Sequence, residues 1–178
     1  MRKLFVYQIA MLALGAVTLG CTVPDTDPSP DYLIVTTSGV VSPELGPEGS
    51  IVFKDIPFAE PPAGAGRWAA PAPLTSPERV IATRSDPVMC PQPQSMASGG
   101  AEGDYLGSED CLYLDIYTPP GTAESAPAPV MLWIHGGSNL TGHKGTYDFS
   151  RFAARQQVVV VVINYRLGPL GWFVHPAL

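Results

Sequence analysis

Cysteine and histidine are scarce in this 178-residue chain, three of each, and lysine and arginine together number ten against sixteen acidic residues. The formal net charge is −6, with no cluster of basic residues. Binding that depends on neutralising phosphates is therefore excluded, and no nucleic-acid partner is expected. No two of His135, His143 and His175 have the spacing of a zinc site, so no metal is expected and no other cofactor is implied. No internal repeat is visible, and 178 residues leave room for one domain at most.

The N-terminal segment reads as a targeting signal. Met1-Arg2-Lys3 is basic, and Leu4 to Gly20 is apolar apart from Gln8 and Thr18. The run is short for a membrane span and ends in small residues, which predicts a secretory signal over 1–20, the alternative being an uncleaved anchor helix. Leu19-Gly20-Cys21 resembles the lipobox of bacterial lipoproteins, with Thr18 where that motif carries an aliphatic residue. The resemblance implies lipidation of Cys21, a membrane anchor and export to the periplasm or cell surface, the alternative being cleavage by the ordinary signal peptidase and secretion. Residues 21–31 (Cys-Thr-Val-Pro-Asp-Thr-Asp-Pro-Ser-Pro-Asp) then form a polar, proline-rich tether.

With Cys21 carrying lipid, Cys90 and Cys111 remain as a pair in an oxidising compartment, where a disulfide persists. Such a bridge would close the Pro-, Gly- and Ser-rich stretch between them.

Residues 32–178 form the expected domain. Tyr32–Thr37 and Ser50–Phe53 are short β-rich runs, predicted to make an antiparallel hairpin or meander. Pro57 to Pro73 reads as ordered but irregular. Strands are expected at Leu112–Tyr117, at Val130–Ile134 and at Val158–Ile163. The last is a continuous β-branched run of the kind found in a parallel strand covered on both faces. Between these last two, Asp148 or Ser150 is placed to cap a short helix carrying Phe149, Phe152 and Ala153. Strand, helix and parallel strand make the unit of an α/β fold.

Val130-Met-Leu-Trp-Ile-His-Gly-Gly-Ser138 carries the chemistry. An apolar strand runs into a His-Gly-Gly turn, whose glycines leave no side chain between the main-chain amides and a ligand. Amides presented in this way stabilise the oxyanion of acyl transfer.

Four motifs in order resemble the type B carboxylesterases, the cholinesterase-like branch of the α/β-hydrolases. Lys54-Asp-Ile-Pro-Phe-Ala-Glu-Pro-Pro-Ala-Gly64 with Arg67-Trp68 resembles the family's GIPYA-PP-G---RF segment, with Asp55 for its usual Gly. Ser108-Glu-Asp-Cys-Leu-Tyr-Leu-Asp-Ile-Tyr-Thr-Pro119 resembles EDCLYLNVYTP, with Asp115 for Asn. Trp133-Ile-His-Gly-Gly-Ser138 is similar to the oxyanion segment, and Ile163-Asn-Tyr-Arg-Leu-Gly-Pro-Leu-Gly171 to the strand and turn that follow it.

The resemblance implies an incomplete α/β-hydrolase fold: N-terminal antiparallel strands and the first strands of a central, mostly parallel sheet. It places the oxyanion donors on Gly137 and Ser138, with Gly136 shaping the turn, and it makes Ser138 a departure from Gly or Ala. It pairs Cys90 with Cys111 and gives Arg67 and Glu109 a structural ion pair. His135 is expected to orient the loop, while His143 and His175 read as solvated.

Gly136-Gly-Ser-Asn-Leu140 misses the nucleophile elbow G-x-S-x-G only at its last position. Leu140 and the Thr141-Gly-His-Lys-Gly145 sequence that follows argue against an elbow. No triad member is expected among these residues, since the order in such hydrolases is Ser, then acid, then His.

The expectation is thus the N-terminal portion of an exported carboxylic ester hydrolase, inactive as 178 residues alone and acting on small-molecule esters in full length. Two other classes stay open: a non-catalytic cholinesterase-like binding module, and a short gene product without enzymatic role.

Overall fold

The computed structural model describes residues 33–94, 103–122 and 127–174. The expected signal, Cys21 and the tether lie outside the described residues, as does His175.

The chain opens with a tight hairpin, β1 (Ile34–Thr36) against β2 (Gly39–Val41), and β2 pairs in parallel with β5 (Val80–Ile81). The run at Ser50–Phe53 is not the partner of the first strand. It belongs to β4 (Ile51–Pro57), in a five-stranded sheet of order β3-β4-β8-β10-β9, where β3 is Glu44–Leu45, β8 Tyr113–Thr118, β9 Val130–Ile134 and β10 Val159–Ile163. Thr37 and Ser38 close the first hairpin locally, the Thr36 hydroxyl donating to the Gly39 carbonyl at 2.7 Å, so β4 is free to seek β8. A small ribbon, β6 (Gln92–Pro93) against β7 (Tyr105–Leu106), stands apart.

The five-stranded sheet is mixed. Strands β9 and β10 run parallel, Val159 opposite Val130 through Ile163 opposite Ile134, while β3–β4, β4–β8 and β8–β10 are antiparallel. Helix α1 (Ser150–Gln156) makes the crossover from β9 to β10. It begins where Asp148 Oδ1 accepts the Ser150 N–H at 2.8 Å, which satisfies one of the unpaired donors of the first turn. It ends at Gln157, whose left-handed backbone (φ 53°) stops the helix.

Alternation along β10 sends Val160 and Val162 into a core with Val52, Tyr117 and Ala153, all nearly or wholly inaccessible, with Phe149 and Trp133 packed against them. The opposite face is different. Val159, Val161 and Ile163 are only half-buried, and on neighbouring β9 Val130, Leu132 and Ile134 stand 55–68% exposed. Burial of β10 on both faces is therefore not what the described residues show: they supply α1 to cover one face and leave the other to solvent.

A second core forms around the bonded pair Cys90–Cys111, with Ala59, Leu112 and Leu167. Closing a loop of this length removes chain entropy from the unfolded state, which contributes about 3 kcal/mol. A third core joins Val41 and Ile81 of the small sheet to Ile56 of β4.

Candidate functional site

The parallel strands β9 and β10 deliver the segments that follow them to one edge of the sheet. After β9 come His135 and the Gly136–Ser138 turn. After β10 come Asn164, Tyr165 and a short helix, α2 (Gly168–Trp172). The two exits are tied together. Tyr165 Oη donates to the His135 carbonyl at 2.8 Å, its ring stacks on the His135 imidazole at 4.3 Å between centroids, and the Gly168 N–H donates to the Asn139 carbonyl at 2.7 Å. His135 is 3% exposed, and its Nδ1–H donates to the Gly136 carbonyl at 3.0 Å. It holds the turn in place; nothing in its contacts marks it as a proton-transfer group.

The turn itself is tight. Gly137 has φ 114°, and a Cβ there would sit 2.1 Å from the Thr141 carbonyl oxygen, so no other residue fits. Ser138 and Asn139 follow at φ 58° each, and the Leu140 and Thr141 amides both return to the Gly137 carbonyl at 3.0 and 3.1 Å. Among the described residues, the amides of Gly136, Gly137 and Ser138 donate to no protein acceptor. Ser138 also lines a groove of about 470 Å³, with Leu140, Pro169, Trp172 and Phe173. Polar N–H groups without partners, next to an apolar trough, suit a ligand that carries a partial negative charge on an apolar body. No helix starts at Ser138; the next α-helical residue is Ser150, which removes the strand–turn–helix context of a nucleophile elbow.

Around this edge the frame is built from polar clamps. Buried Gln92 holds Gly142 through both ends of its amide, donating to the carbonyl at 3.0 Å and accepting from the N–H at 2.8 Å. Asn164, 1% exposed, accepts the Lys144 N–H at 2.7 Å and donates to the carbonyls of Val88 and Cys111. Arg67 and Glu109 form a two-pronged ion pair that keeps the Glu109 carboxyl below its ordinary range. Arg67 lies next to Trp68, whose indole N–H donates to the Pro169 carbonyl at 2.9 Å, so this corner braces α2 rather than facing the amides.

His143 is not simply solvated. It is half-buried and its Nδ1 accepts the Gly145 N–H at 3.1 Å.

One group escaped the sequence reading. Lys144 is buried between Asp55 and Asp115, with its Nζ at 2.8 and 2.6 Å from their carboxylates. Burial pushes the Asp115 carboxyl up from its ordinary value, and the ammonium opposes that shift. The signal was present as two acidic residues in mostly apolar strands, which demand a cation once buried.

Among the described residues no group of three His, Cys, Asp or Glu could hold a metal, and no helix is long and apolar enough to cross a membrane.

A parallel strand pair joined by a helix, with a glycine turn of unpaired amides at the carboxyl end, is part of the α/β-hydrolase fold, and solved structures bear this out. A thermophilic PNB esterase superposes with a TM-score of 0.69 at 38% identity, covering 82% of this chain and 30% of that one. A carboxylesterase of Geobacillus stearothermophilus does so at 0.63 and 36%, covering 78% and 27%.

The model of the carboxylesterase family matches residues 38–176, and the chain belongs to that family. Carboxylesterase 3 of Homo sapiens is 39% identical over 174 residues, which is 90% of this chain and 30% of the relative. Cocaine esterase of Homo sapiens is 43% identical over 136 residues, or 70% and 24%. The chain thus spans about 30% or less of the length of these curated relatives.

The acceptor role of His143 fixes a pH dependence. Burial holds its imidazole below the ordinary value of 6.5, so the folded protein takes up this proton less readily than the unfolded chain. The contribution is complete above 6.5 and is lost as the pH falls through the lowered value. The thermal midpoint should drop between about pH 7.5 and about pH 5, and His143→Gln should flatten that part of the curve. An unchanged slope in the variant would show that His143 is not the titrating group.

Proposed function

We propose that these residues supply the oxyanion hole of a carboxylic ester hydrolase that works through an acyl-enzyme. The observation that carries this reading is the pair of unengaged amides at Gly137 and Ser138, with Ser138 lining an apolar groove. Support for the substrate class comes from the relatives, which are esterases by name.

In the proposed reaction a serine hydroxyl adds to the ester carbonyl carbon while its proton passes to a histidine. The carbonyl oxygen takes the electron pair and becomes the oxyanion that the two amides bind. Collapse expels the alcohol with that proton, and water repeats the sequence on the acyl-enzyme.

The amides do their work only as charge develops, which is why they lower the barrier rather than merely holding substrate. The 178 residues contain no G-x-S-x-G elbow. The serine, acid and histidine of the triad are therefore assigned to other parts of the full-length protein, whose relatives are about three times as long as the matched stretch. Ser138 keeps the amide that a Gly or Ala would offer, and its hydroxymethyl group narrows the acyl side of the groove.

The full-length protein should turn over a short-chain p-nitrophenyl ester and lose that activity to a fluorophosphonate, whereas the 178 residues alone should not exceed the blank. Gly137→Ala in the full-length protein keeps the amide but drives a Cβ to 2.1 Å from the Thr141 carbonyl oxygen, so the turn must shift, and kcat should fall about a hundredfold as the amides are misplaced. Fluorophosphonate-sensitive turnover by the pure 178-residue chain would sink the division of labour.

Export and a lipid anchor at Cys21 belong to the same proposal, supported by the Cys90–Cys111 disulfide, a bond that persists outside reducing compartments. Radiolabelled palmitate should enter the protein and be lost with Cys21→Ala; absence of label would remove the anchor.

A further inference from the structure

Lys144 sits six positions after Ser138, at the end of the loop that bears the unpaired amides. Its side chain and those of Asp55 and Asp115 are at most 6% exposed. Asp55 occupies a bulge in β4, where the register against β8 shifts and φ is 56°. The bulge releases the Asp55 N–H from the ladder, and Asp115 Oδ1 takes it at 2.8 Å, while Asp55 Oδ2 accepts the Arg84 N–H at 2.8 Å. Both Asp55 oxygens and Asp115 Oδ1 are thus engaged, and the Lys144 ammonium bridges the two carboxylates. Both carboxylates also stand where the quoted carboxylesterase motifs carry uncharged residues, Gly at 55 and Asn at 115, and these two departures meet on one ammonium.

The loop from Gly136 to Gly142 has little of its own to orient it. Its internal bonds, from Leu140 and Thr141 to Gly137, shape the turn but do not fix its direction relative to the sheet. Direction comes from outside: Tyr165 at the start, the Gly168 N–H on the Asn139 carbonyl in the middle, Gln92 on Gly142 at the end, and Lys144 just beyond it.

Resting on the oxyanion reading, we propose that Lys144 is a positioning residue, which by binding Asp55 and Asp115 moors the end of this loop to β4 and β8 and thereby aims the amides of Gly137 and Ser138. A buried ammonium between two carboxylates has no cheaper place to go, so the mooring is rigid. Catalytic amides gain from rigidity because small misplacements are costly in rate.

Lys144→Met alone would leave two buried like charges and threatens folding, so the deciding variant is Asp55→Gly/Asp115→Asn/Lys144→Met, which removes charges and mooring together. In the full-length protein this triple variant should melt close to the wild type. Hydrogen exchange at Leu140, Thr141 and Gly142, referenced to Val160 and Val162, should nonetheless speed up about tenfold, and kcat per fluorophosphonate-titrated site should fall about tenfold with KM within about threefold. Wild-type loop exchange in the triple variant would overturn the mooring. Faster exchange with unchanged kcat would overturn the aiming of the amides. Exchange needs no turnover, so an inactive wild-type protein would count against the oxyanion reading and leave the mooring to be decided by exchange alone.

Discussion

The parallel register of β9 and β10 is the constraint on which the rest depends. Two strands running the same way need a crossover, and a helix of seven residues, α1, supplies it while burying Ala153 and Ala154 against the sheet. The same register brings both carboxyl ends to one edge, where the two chain exits can brace each other. His135 and Tyr165 stack because Ile134 and Ile163 are paired one and two residues earlier. The tight Gly137 turn, its free amides and the α2 groove all follow from that placement.

Beneath this edge the fold uses polar contacts where packing alone would leave choice. The half of the core under α1 is apolar and closes by shape. The half that carries the loop is fastened by Gln92, Asn164 and the Asp55–Lys144–Asp115 cluster, each of them buried; among the described residues no buried side-chain nitrogen or oxygen lacks a partner. Such groups contribute less to net stability than to uniqueness, because any alternative loop path would strand a donor or a charge.

Much of this was legible in the sequence wherever a signal was local. The His135-Gly-Gly turn, the β-branched run of β10 and the helix start at Asp148 each advertise themselves within a few residues. What was hidden was long-range pairing. Nothing in Ser50–Phe53 says that its partner is Tyr113–Thr118 rather than Ile34–Thr36, because β-rich runs of three or four residues match many partners and only the tertiary context picks one. Lys144 was lost for a related reason: a lysine in a glycine-rich loop reads as solvated until the strands that carry Asp55 and Asp115 are brought beside it. The uncovered face of β9 and β10 was invisible because apolar content does not state which neighbour covers it.

The central claim is that Gly137 and Ser138 present their amides to a developing oxyanion. The direct measurement is a crystal structure of the full-length protein inactivated with a fluorophosphonate, whose phosphoryl oxygen stands where the oxyanion would be. That oxygen should lie about 2.7–3.1 Å from both amide nitrogens, with the Gly137 turn unmoved. A phosphoryl oxygen bound away from these amides, or a turn that must refold to reach it, would contradict the account.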